Sequence, residues 1–372
     1  MPAPCDGNLS NSLSAPDLAL AQGRWVKLIC GASNQDLAAV EDLAGLYALA
    51  GVHCIDIAAD AAVGAAARRG LTWAADRGLS KRPWLMVSLS DGADPHFRKA
   101  WFDPGRCPPE CRRPCERVCP ALAIGLQATG APGVLDERCY GCGRCLGACP
   151  LGLIEERSQV LAPEALPSLL AAIAPDAVEL HCQPGRLEAF ALRLEQLVCS
   201  GVRLRRLAVS MTAPAAPGAA TLATELWQRF GLLRAAGLRP LWQLDGQPMS
   251  GDLGPLPARA AVRLLGHLAP WAPPGPLQLA GGTNGQTLPE LERSGLGPLA
   301  AGVAFGGEAR RRLQPWLQPA HARGARLLDC DDLWPQALFH ARELVAPWLQ
   351  RSPVRLQNRA AAVDERQGAM GN

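Results

Sequence analysis

Eight short apolar runs, each followed by a segment of helical periodicity, constrain this chain more than any other sequence feature. Runs of five to seven residues predict buried strands, and their alternation with helices indicates a parallel sheet. In chain order, the predicted strands are residues 26–30, 53–58, 83–89, 177–182, 206–211, 238–244, 276–280 and 301–305. Eight such units predict an α/β fold, a (β/α)8 barrel of the TIM type. A doubly wound open sheet is the alternative, but its dinucleotide fingerprint is missing after the first strand.

A cysteine-rich segment interrupts this alternation after the third strand. We therefore predict barrel segments at residues 25–100 and 155–350, and an inserted two-cluster ferredoxin-like α+β module at residues 101–154. Loops that follow barrel strands lie on the face that carries chemistry, so the module is expected at the mouth of the barrel. Residues 1–24 lack periodicity and are expected to be a disordered lead, and residues 351–372 a flexible tail.

The inserted segment contains two cysteine motifs, each ending in Cys-Pro. The second motif, from Cys139 to Pro150, has the C-x2-C-x2-C-x3-C-P spacing of bacterial ferredoxins. In those proteins three thiolates hold one iron–sulfur cluster and the fourth ligates the neighbouring cluster. The first motif, from Cys107 to Pro120, uses x3 spacing throughout. Similar apolar residues follow the two prolines at the same offset, as in the two halves of a two-cluster ferredoxin.

If the last cysteine of each motif ligates the cluster of the other motif, the cysteines divide into two sets. The first set is Cys119, Cys139, Cys142 and Cys145, and the second set is Cys107, Cys111, Cys115 and Cys149. The expected cofactors are two [4Fe–4S] clusters. The irregular first motif leaves a [3Fe–4S] cluster as an alternative at the second set, if one ligand is missing. Zinc sites are the competing interpretation, because CxxC pairs also bind zinc.

Two glycine pairs follow predicted strands seven and eight, where barrels often bind a phosphate group. They are Gly281-Gly282 and Gly306-Gly307. Glycine exposes backbone amides, and a helix N-terminus favours an anion, so the pairs predict a phosphate site. FMN would be the natural ligand beside iron–sulfur clusters. The alternative is that short turns need glycine for their backbone angles alone.

Charged side chains on the predicted strands form a third candidate site. Lys27, Asp56, Glu179 and His181 would need partners inside a barrel, since burial of an unpaired charge is costly. They could be a catalytic group in which Lys27 stabilises an anion and a carboxylate transfers protons. They could equally be a neutral ion cluster that fills the barrel interior. The sequence therefore leaves open whether the protein is an enzyme.

Charge and cysteine usage restrict the partners and the compartment. A formal net charge of +3 over 372 residues is too small to indicate nucleic acid or a membrane surface as a partner. No apolar run approaches the ~20 residues that a membrane span needs. Most of the 14 cysteines lie in the two motifs, and the others are scattered. This distribution argues against a disulfide framework and predicts a reducing, cytoplasmic location.

Several segments together resemble one protein family. They are Leu-Ile-Cys-Gly-Ala-Ser-Asn-Gln-Asp near the start, Cys-Ile-Asp-Ile-Ala-Ala-Asp, the x3-spaced cysteine run and the ferredoxin motif. With them the chain is similar to the cyanobacterial light-dependent period A family over most of residues 25–350. The x3-spaced run is the specific part, because ordinary ferredoxins lack it. The resemblance implies an iron–sulfur protein that informs the circadian clock of the cell's redox state, with all eight cysteines as cluster ligands. It supplies no catalytic residues.

Three functions remain as hypotheses. A redox sensor would signal through protein contacts, with clock or redox-signalling proteins as partners and ferredoxin or a quinone as its redox input. A flavin-dependent barrel oxidoreductase with an iron–sulfur relay is the alternative, motivated by the glycine pairs together with Lys27 and Asp56. We favour the sensor. A pure electron carrier is a weaker third hypothesis, since a carrier needs only the small module.

Overall fold

Eight parallel strands close into a barrel in which the last strand pairs with the first. The computed structural model describes residues 14–126, 132–212, 219–246 and 255–353. The predicted (β/α)8 fold is confirmed, and each of the eight predicted apolar runs forms a barrel strand. The strands are β1 (Trp25–Ile29), β2 (Cys54–Ala58), β3 (Trp84–Ser90), β8 (Ala177–Cys182), β9 (Arg206–Thr212), β10 (Pro240–Asp245), β11 (Leu277–Ala280) and β12 (Gly302–Phe305).

Helices cover the outside of the barrel and pack on the outward-facing apolar side chains of the strands. Local chemistry sets their ends. The Asp36 carboxylate caps the first of these helices by accepting from the Ala39 amide, and Gly51 ends it in the left-handed conformation. The helices are α2 (Leu37–Ala50), α3 (Ala61–Ala75), α6 (Leu166–Ile173), α7 (Leu187–Cys199), α8 (Ala219–Ala235), α9 (Pro255–Leu268), α10 (Thr287–Arg293), α11 (Gly307–Ala322) and α12 (Trp334–Gln350). Among the described helices, none has the length and apolar character needed to cross a membrane.

Short 3-10 segments complete the connections. They lie at Pro95–Phe97, Pro104–Arg106, Pro163–Ala165, Gly297–Leu299 and Leu327–Asp329.

The barrel interior has an apolar floor at the N-terminal end of the strands. Side chains alternate along a strand, so every second residue points inward. The floor consists of Trp25, Trp84, Met86 and Leu241 with smaller residues from neighbouring strands, and Leu20 seals it from below. Gly302 permits this packing, because a Cβ there would lie 2.1 Å from the carbonyl oxygen of Trp25. The floor leaves the opposite end of the barrel as the mouth.

Part of the predicted disordered lead is a helix. α1 (Ala15–Ala21) begins at Ser14, whose hydroxyl accepts from the Asp17 amide, and Leu20 is buried under the barrel. The Asp17 carboxylate also pairs with Arg206 at 2.9 Å. The prediction of disorder was therefore wrong for residues 15–21, because tertiary burial orders a segment too short for periodicity to indicate. Residues 1–13 lie outside the described part of the chain.

The predicted flexible tail begins one residue too early. Arg351 is buried, and its guanidinium donates to the backbone carbonyls of Gly23, Ala300 and Gly297. It therefore fastens the end of α12 beneath the barrel. Ser352 and Pro353, which follow it, are exposed, and the rest of that prediction falls on residues 354–372, outside the described residues.

The inserted module is wider than predicted. β4 (Arg98–Trp101) pairs antiparallel with β7 (Glu155–Ser158), so the chain leaves the barrel after β3 and returns only near α6. The predicted limits of 101–154 cut through this two-stranded sheet. Between its strands lie α4 (Pro114–Val118), β5 (Ile124–Leu126), β6 (Pro132–Val134) and α5 (Arg144–Ala148), with β5 and β6 paired antiparallel.

Candidate functional site

The module brings the cysteines together in the two predicted sets. One small cavity is lined by the four thiols of the first set, Cys119, Cys139, Cys142 and Cys145. In the second set, Cys107 and Cys115 both interact electrostatically with Cys149, and Cys107 also contacts Cys111. Each set therefore combines three cysteines of one motif with the last cysteine of the other, as the ferredoxin spacing predicts.

Local backbone geometry and amide donors prepare these thiols for iron–sulfur ligation. α4 and α5 each follow a residue in the left-handed conformation, Arg113 with φ 45° and Gly143 with φ 74°. Four backbone amides point at cysteine sulfurs in the two sets, as hydrogen bonds to cluster ligands do. They run from Arg113 N to Cys111 Sγ (3.4 Å), Ala123 N to Cys119 Sγ (3.2 Å), Ala100 N to Cys139 Sγ (3.3 Å) and Leu153 N to Cys149 Sγ (3.4 Å).

The electrostatics of the thiols also fit a bound metal cluster. Burial and the neighbouring cysteines raise the pKa of Cys145 to about 12, because thiolates packed together repel one another. For Cys149, burial acts to raise the pKa, but surrounding backbone amides outweigh it and lower the pKa. All eight motif cysteines are free of disulfide bonds. A cationic metal cluster would relieve this repulsion between thiolates, so the eight cysteines fit iron–sulfur ligation.

A glycine within the second motif allows the chain between two of the cysteines to pack closely against β4 of the module. Gly141 lies between Cys139 and Cys142 with φ 72°, and a Cβ there would lie 2.1 Å from the carbonyl oxygen of Arg98 in β4. Only glycine permits this approach, which places Cys139 Sγ beside the Ala100 amide.

The mouth of the barrel contains a cavity of about 900 Å³, including space open to solvent. Residues from three separate predictions line it: the strand charges, the glycine pairs and the module. The module contributes Tyr140, which follows the first cysteine of the second motif, and the turn that leads into the module contributes His96. The module is therefore at the barrel mouth, as expected from its position after the third strand.

All four predicted glycines line this cavity, but the two pairs differ in conformation. Gly281 and Gly282 adopt φ values of 62° and 83°, so the turn itself requires glycine there. Gly306 has φ −115°, and together with Gly307 it leads into α11. Glu308 in the first turn of that helix is neutralised by arginines one turn later. The phosphate site stays a prediction, and the turn requirement accounts for Gly281 and Gly282 without it.

The predicted strand charges converge inside the barrel. Lys27 Nζ lies 3.1 Å from Asp56 Oδ2 and also contacts the Glu179 carboxylate, and all three side chains are buried. Burial acts to lower the Lys27 pKa, but the two carboxylates outweigh it and raise the pKa. For Asp56, burial outweighs the attraction of Lys27 and raises the pKa to about 6. The ammonium is thus held charged between two carboxylates. This arrangement suits either of the roles considered, a catalytic group or an ion cluster.

A chain of amide hydrogen bonds connects this ion cluster to the barrel floor. Gln243 Nε2 donates to Glu179 Oε1 at 2.6 Å, and Gln278 Nε2 donates to Gln243 Oε1 at 2.6 Å. The Trp25 indole N–H donates to Gln278 Oε1 at 2.6 Å. Each buried amide is therefore oriented by the next, which fixes Glu179 in place. Asp245 lies beside Gln243, accepts from a serine hydroxyl on β9, and has a pKa raised by burial.

His181, predicted with the strand charges, lies at the top of this cluster beside two residues that the sequence reasoning missed. His181 Nε2 lies 3.1 Å from Glu179 Oε1, and its ring lies 4.6 Å from the His96 ring, measured between centroids. His96 Nδ1 lies 2.8 Å from Asp94 Oδ1. Burial and the neighbouring His96 lower the His181 pKa to about 3. For His96, burial acts to lower the pKa, but the Asp94 carboxylate outweighs it and raises the pKa.

A single aromatic side chain forms the wall between the barrel cavity and the cysteine site. Tyr140 lines both the cavity and the pocket of the first cysteine set. The Arg310 guanidinium lies 3.9 Å from the centre of the Tyr140 ring and donates to the carbonyl of Cys30 at the end of β1. The cation–π contact fixes the ring against the barrel. Neither Tyr140 nor Arg310 was singled out from the sequence, because they meet only in the folded chain.

Solved structures of similar architecture match the chain at low identity. One is thiamine phosphate pyrophosphorylase from Pyrococcus furiosus, 12% identical, covering 89% of this chain and 99% of that chain with a TM-score of 0.36. Another belongs to the dihydrodipicolinate synthase family of Coccidioides immitis, 10% identical, covering 96% of this chain and 100% of that chain, also with a TM-score of 0.36. These scores carry no argument about function.

The sequence comparisons are far more specific. Residues 107–160 match the family model of the light-dependent period A Fe–S cluster-binding domain, and residues 169–347 match the C-terminal domain of the same family. An uncharacterized ferredoxin of Methanocaldococcus jannaschii is 47% identical over 47 residues, 13% of this chain and 30% of that protein. Light dependent period A of Synechococcus elongatus is 44% identical over 346 residues, which cover 91% of this chain and 95% of that protein. The chain belongs to the light-dependent period A family, and its module is an iron–sulfur cluster-binding domain.

Proposed function

We propose that this protein is a cytoplasmic iron–sulfur redox sensor that relays the light-dependent redox state of a cyanobacterial cell to its circadian clock through protein contacts. The observation that carries the proposal is the pair of four-cysteine sets in a module seated on the mouth of a large barrel. Iron–sulfur clusters supply one-electron redox chemistry when bound. The name of the Synechococcus relative supports the link to clock period.

Both cysteine sets support [4Fe–4S] clusters. Cys107, Cys111, Cys115 and Cys149 all contribute to the second set, so the residues do not require the [3Fe–4S] alternative. Anaerobic purification followed by iron and acid-labile sulfide analysis tests this point. About eight iron atoms per chain would support two [4Fe–4S] clusters, and about seven would favour one [3Fe–4S] cluster. Zinc without iron would contradict the proposal altogether.

The surface of the module supports signalling through protein contacts. Four large apolar side chains near the cysteine motifs are exposed: Val118, Leu122, Leu126 and Leu151. All four belong to one small module, and exposed apolar side chains are what a protein-binding surface on it would use. The expected partners are clock or redox-signalling proteins, and ferredoxin or a quinone is the expected redox input. The small net charge gives no support to nucleic acid as a partner.

The sensor is tested by measuring partner affinity in two redox states. Clock proteins of the same cell are immobilised, and anaerobic binding of the cluster-loaded protein is compared after reduction with dithionite and after oxidation. We expect the dissociation constant to change by about fivefold or more, the lower end of measured allosteric couplings. Cys142→Ser should abolish this difference because it removes a ligand of the first set.

Cys199→Ser is the matched control. Cys199 lies exposed at the end of α7, far in sequence from the module, so its replacement should leave the redox dependence intact. Equal affinity in the oxidised and reduced states of the wild-type protein would refute the sensor. A redox dependence that survives Cys142→Ser would show that the first cysteine set is not its source.

The barrel cavity favours a second candidate, a flavin-dependent oxidoreductase. The glycines that line it and the Tyr140 wall next to the first cysteine set would suit a bound FMN. In that case Lys27, Asp56 and Glu179 would be the candidates for catalysis. Absorbance and fluorescence of the anaerobically purified protein distinguish the candidates. Stoichiometric flavin would favour the enzyme, and clusters without flavin would leave the sensor as the better account.

A further inference from the structure

A group of metal-ligating side chains lies in the barrel mouth, apart from the cysteine sets. Asp94, His96 and His181 each offer one ligand atom, and these atoms all lie within 4.8 Å of one another. Asp94 and His96 come from the turn that follows β3, and His181 comes from the end of β8. Asp94 and His181 are buried, and His96 is half-buried. Two imidazoles and a carboxylate therefore meet at one point of the cavity wall.

Two of these side chains, Asp94 and His181, are held by a polar contact from outside the group. Gln183 Nε2 donates to Asp94 Oδ2 at 2.6 Å, which leaves Asp94 Oδ1 facing His96. Glu179 Oε1 lies 3.1 Å from His181 Nε2, which leaves Nδ1 of that ring for another partner. A carboxylate on one ring nitrogen and a metal ion on the other is the usual environment of a metal-binding histidine. The outer contacts are thus of the kind that orients ligands for an ion.

The surrounding charge favours a cation. Asp56, Glu179 and Asp245 all lie in the barrel interior, and Lys27 contacts the first two of them. The third, Asp245, is held by neutral donors, a serine hydroxyl and the Gln243 amide. The barrel interior beside His181 therefore holds three carboxyl groups and one ammonium, and a bound cation would favour the ionised form of these carboxyl groups.

We propose that Asp94, His96 and His181 bind one divalent first-row transition-metal ion at the mouth of the barrel. Two histidines and one carboxylate form the ligand set of catalytic zinc sites and of non-haem iron sites, with positions left open for water or substrate. Here the open positions would face the cavity of about 900 Å³. This site is separate from the cluster cysteines and does not depend on the sensor function. The competing account is a hydrogen-bonded Asp94–His96 pair that holds no ion.

Mn²⁺ is the probe for this site, because it prefers carboxylate and imidazole to thiolate and so spares the cysteine sets. The cluster-loaded protein is titrated anaerobically, and free Mn²⁺ is measured by its room-temperature EPR signal. We expect one saturable site per chain, from which Zn²⁺ displaces Mn²⁺ because zinc binds such ligands more tightly. His181→Gln should weaken Mn²⁺ binding by at least about tenfold while iron and sulfide contents stay unchanged.

Two further variants complete the test. His96→Gln removes a ligand from the turn after β3 and should weaken Mn²⁺ binding to a similar extent. It takes the place of His181→Gln if that variant fails to fold. His321→Gln is the matched control, since His321 pairs with the Asp42 carboxylate at 3.0 Å and belongs to no group of three metal-ligating side chains within the described residues. It should leave binding unchanged. Absence of a saturable Mn²⁺ site in the wild-type protein, or equal binding by wild type and both ligand variants, would overturn the proposal.

Discussion

Replacing Asp56 with asparagine is expected to reduce the pH dependence of the free energy of unfolding. Asp56 is buried and faces Lys27 from β1 and Glu179 and His181 from β8, and it accepts from Ser88 on β3. Burial outweighs the attraction of Lys27 and raises the Asp56 pKa from 3.8 to about 6. When the pKa of a carboxyl group is higher in the folded than in the unfolded state, the group stabilises the folded state most at pH values below the unfolded-state pKa. This stabilisation is lost as the pH rises through the folded-state pKa.

The magnitude follows from the two pKa values. One pKa unit corresponds to about 1.4 kcal/mol. The rise of the Asp56 pKa from 3.8 to about 6 therefore corresponds to about 3 kcal/mol between the low and high pH limits. Roughly 1.5 kcal/mol of this should be lost between pH 5 and pH 8. Asp56→Asn keeps the shape of the side chain without its charge, so the variant should lack that loss.

Urea denaturation at pH 5 and pH 8 measures the effect, followed by the fluorescence of the buried barrel tryptophans. Asp76→Asn is the matched control, because Asp76 lies exposed at the end of α3, and it should keep the pH dependence of the wild-type protein. If wild type and Asp56→Asn change equally between the two pH values, the reasoning that burial disfavours the ionised Asp56 is refuted.

Three other substitutions test separate parts of the structure. Arg310→Met removes the cation 3.9 Å from the Tyr140 ring and should lower the reduction potential of the nearby cluster by on the order of 50 mV in a spectroelectrochemical titration; an unchanged potential would contradict this. Gly302→Ala places a Cβ 2.1 Å from the Trp25 carbonyl oxygen and should lower the free energy of unfolding in urea by about 3 kcal/mol or more. Arg351→Ala deprives buried backbone carbonyls of a donor and should cost about 2 to 3 kcal/mol by the same measurement, whereas a loss below about 0.5 kcal/mol would show that water replaces the guanidinium.

The barrel could be predicted from sequence because its strands are buried on both faces and so read as apolar runs. The limits of the module could not be predicted in the same way. β4, which reads Arg-Lys-Ala-Trp, has no apolar run, and it forms a strand only because β7 pairs with it, with Trp101 opposite Glu155. α1 is a similar case, since burial of Leu20 beneath the barrel orders a helix of only seven residues.

The candidate site could be predicted in part. The cysteine sets depend on local spacing, which a sequence displays directly. Gln243 and Asp245 were missed although Gln243 lies in a predicted strand and Asp245 directly follows its predicted end at residue 244. A period of two continued by one residue would have placed both side chains inside the barrel. Asp94 and His96 lie in a turn without periodicity. Their approach to His181 depends on how the module leaves the barrel, which no local pattern indicates.

The position of Tyr140 in the wall shared by the cavity and the first cysteine set has a thermodynamic consequence. A molecule that occupies the cavity and an electron on the neighbouring cluster act on one linked equilibrium. If the molecule binds the oxidised protein tenfold more tightly than the reduced protein, it lowers the reduction potential by about 59 mV, and oxidation strengthens its binding by the same factor. The state of the protein would then depend on both the concentration of that molecule and the reduction level of the cluster, and a change in either one would shift it.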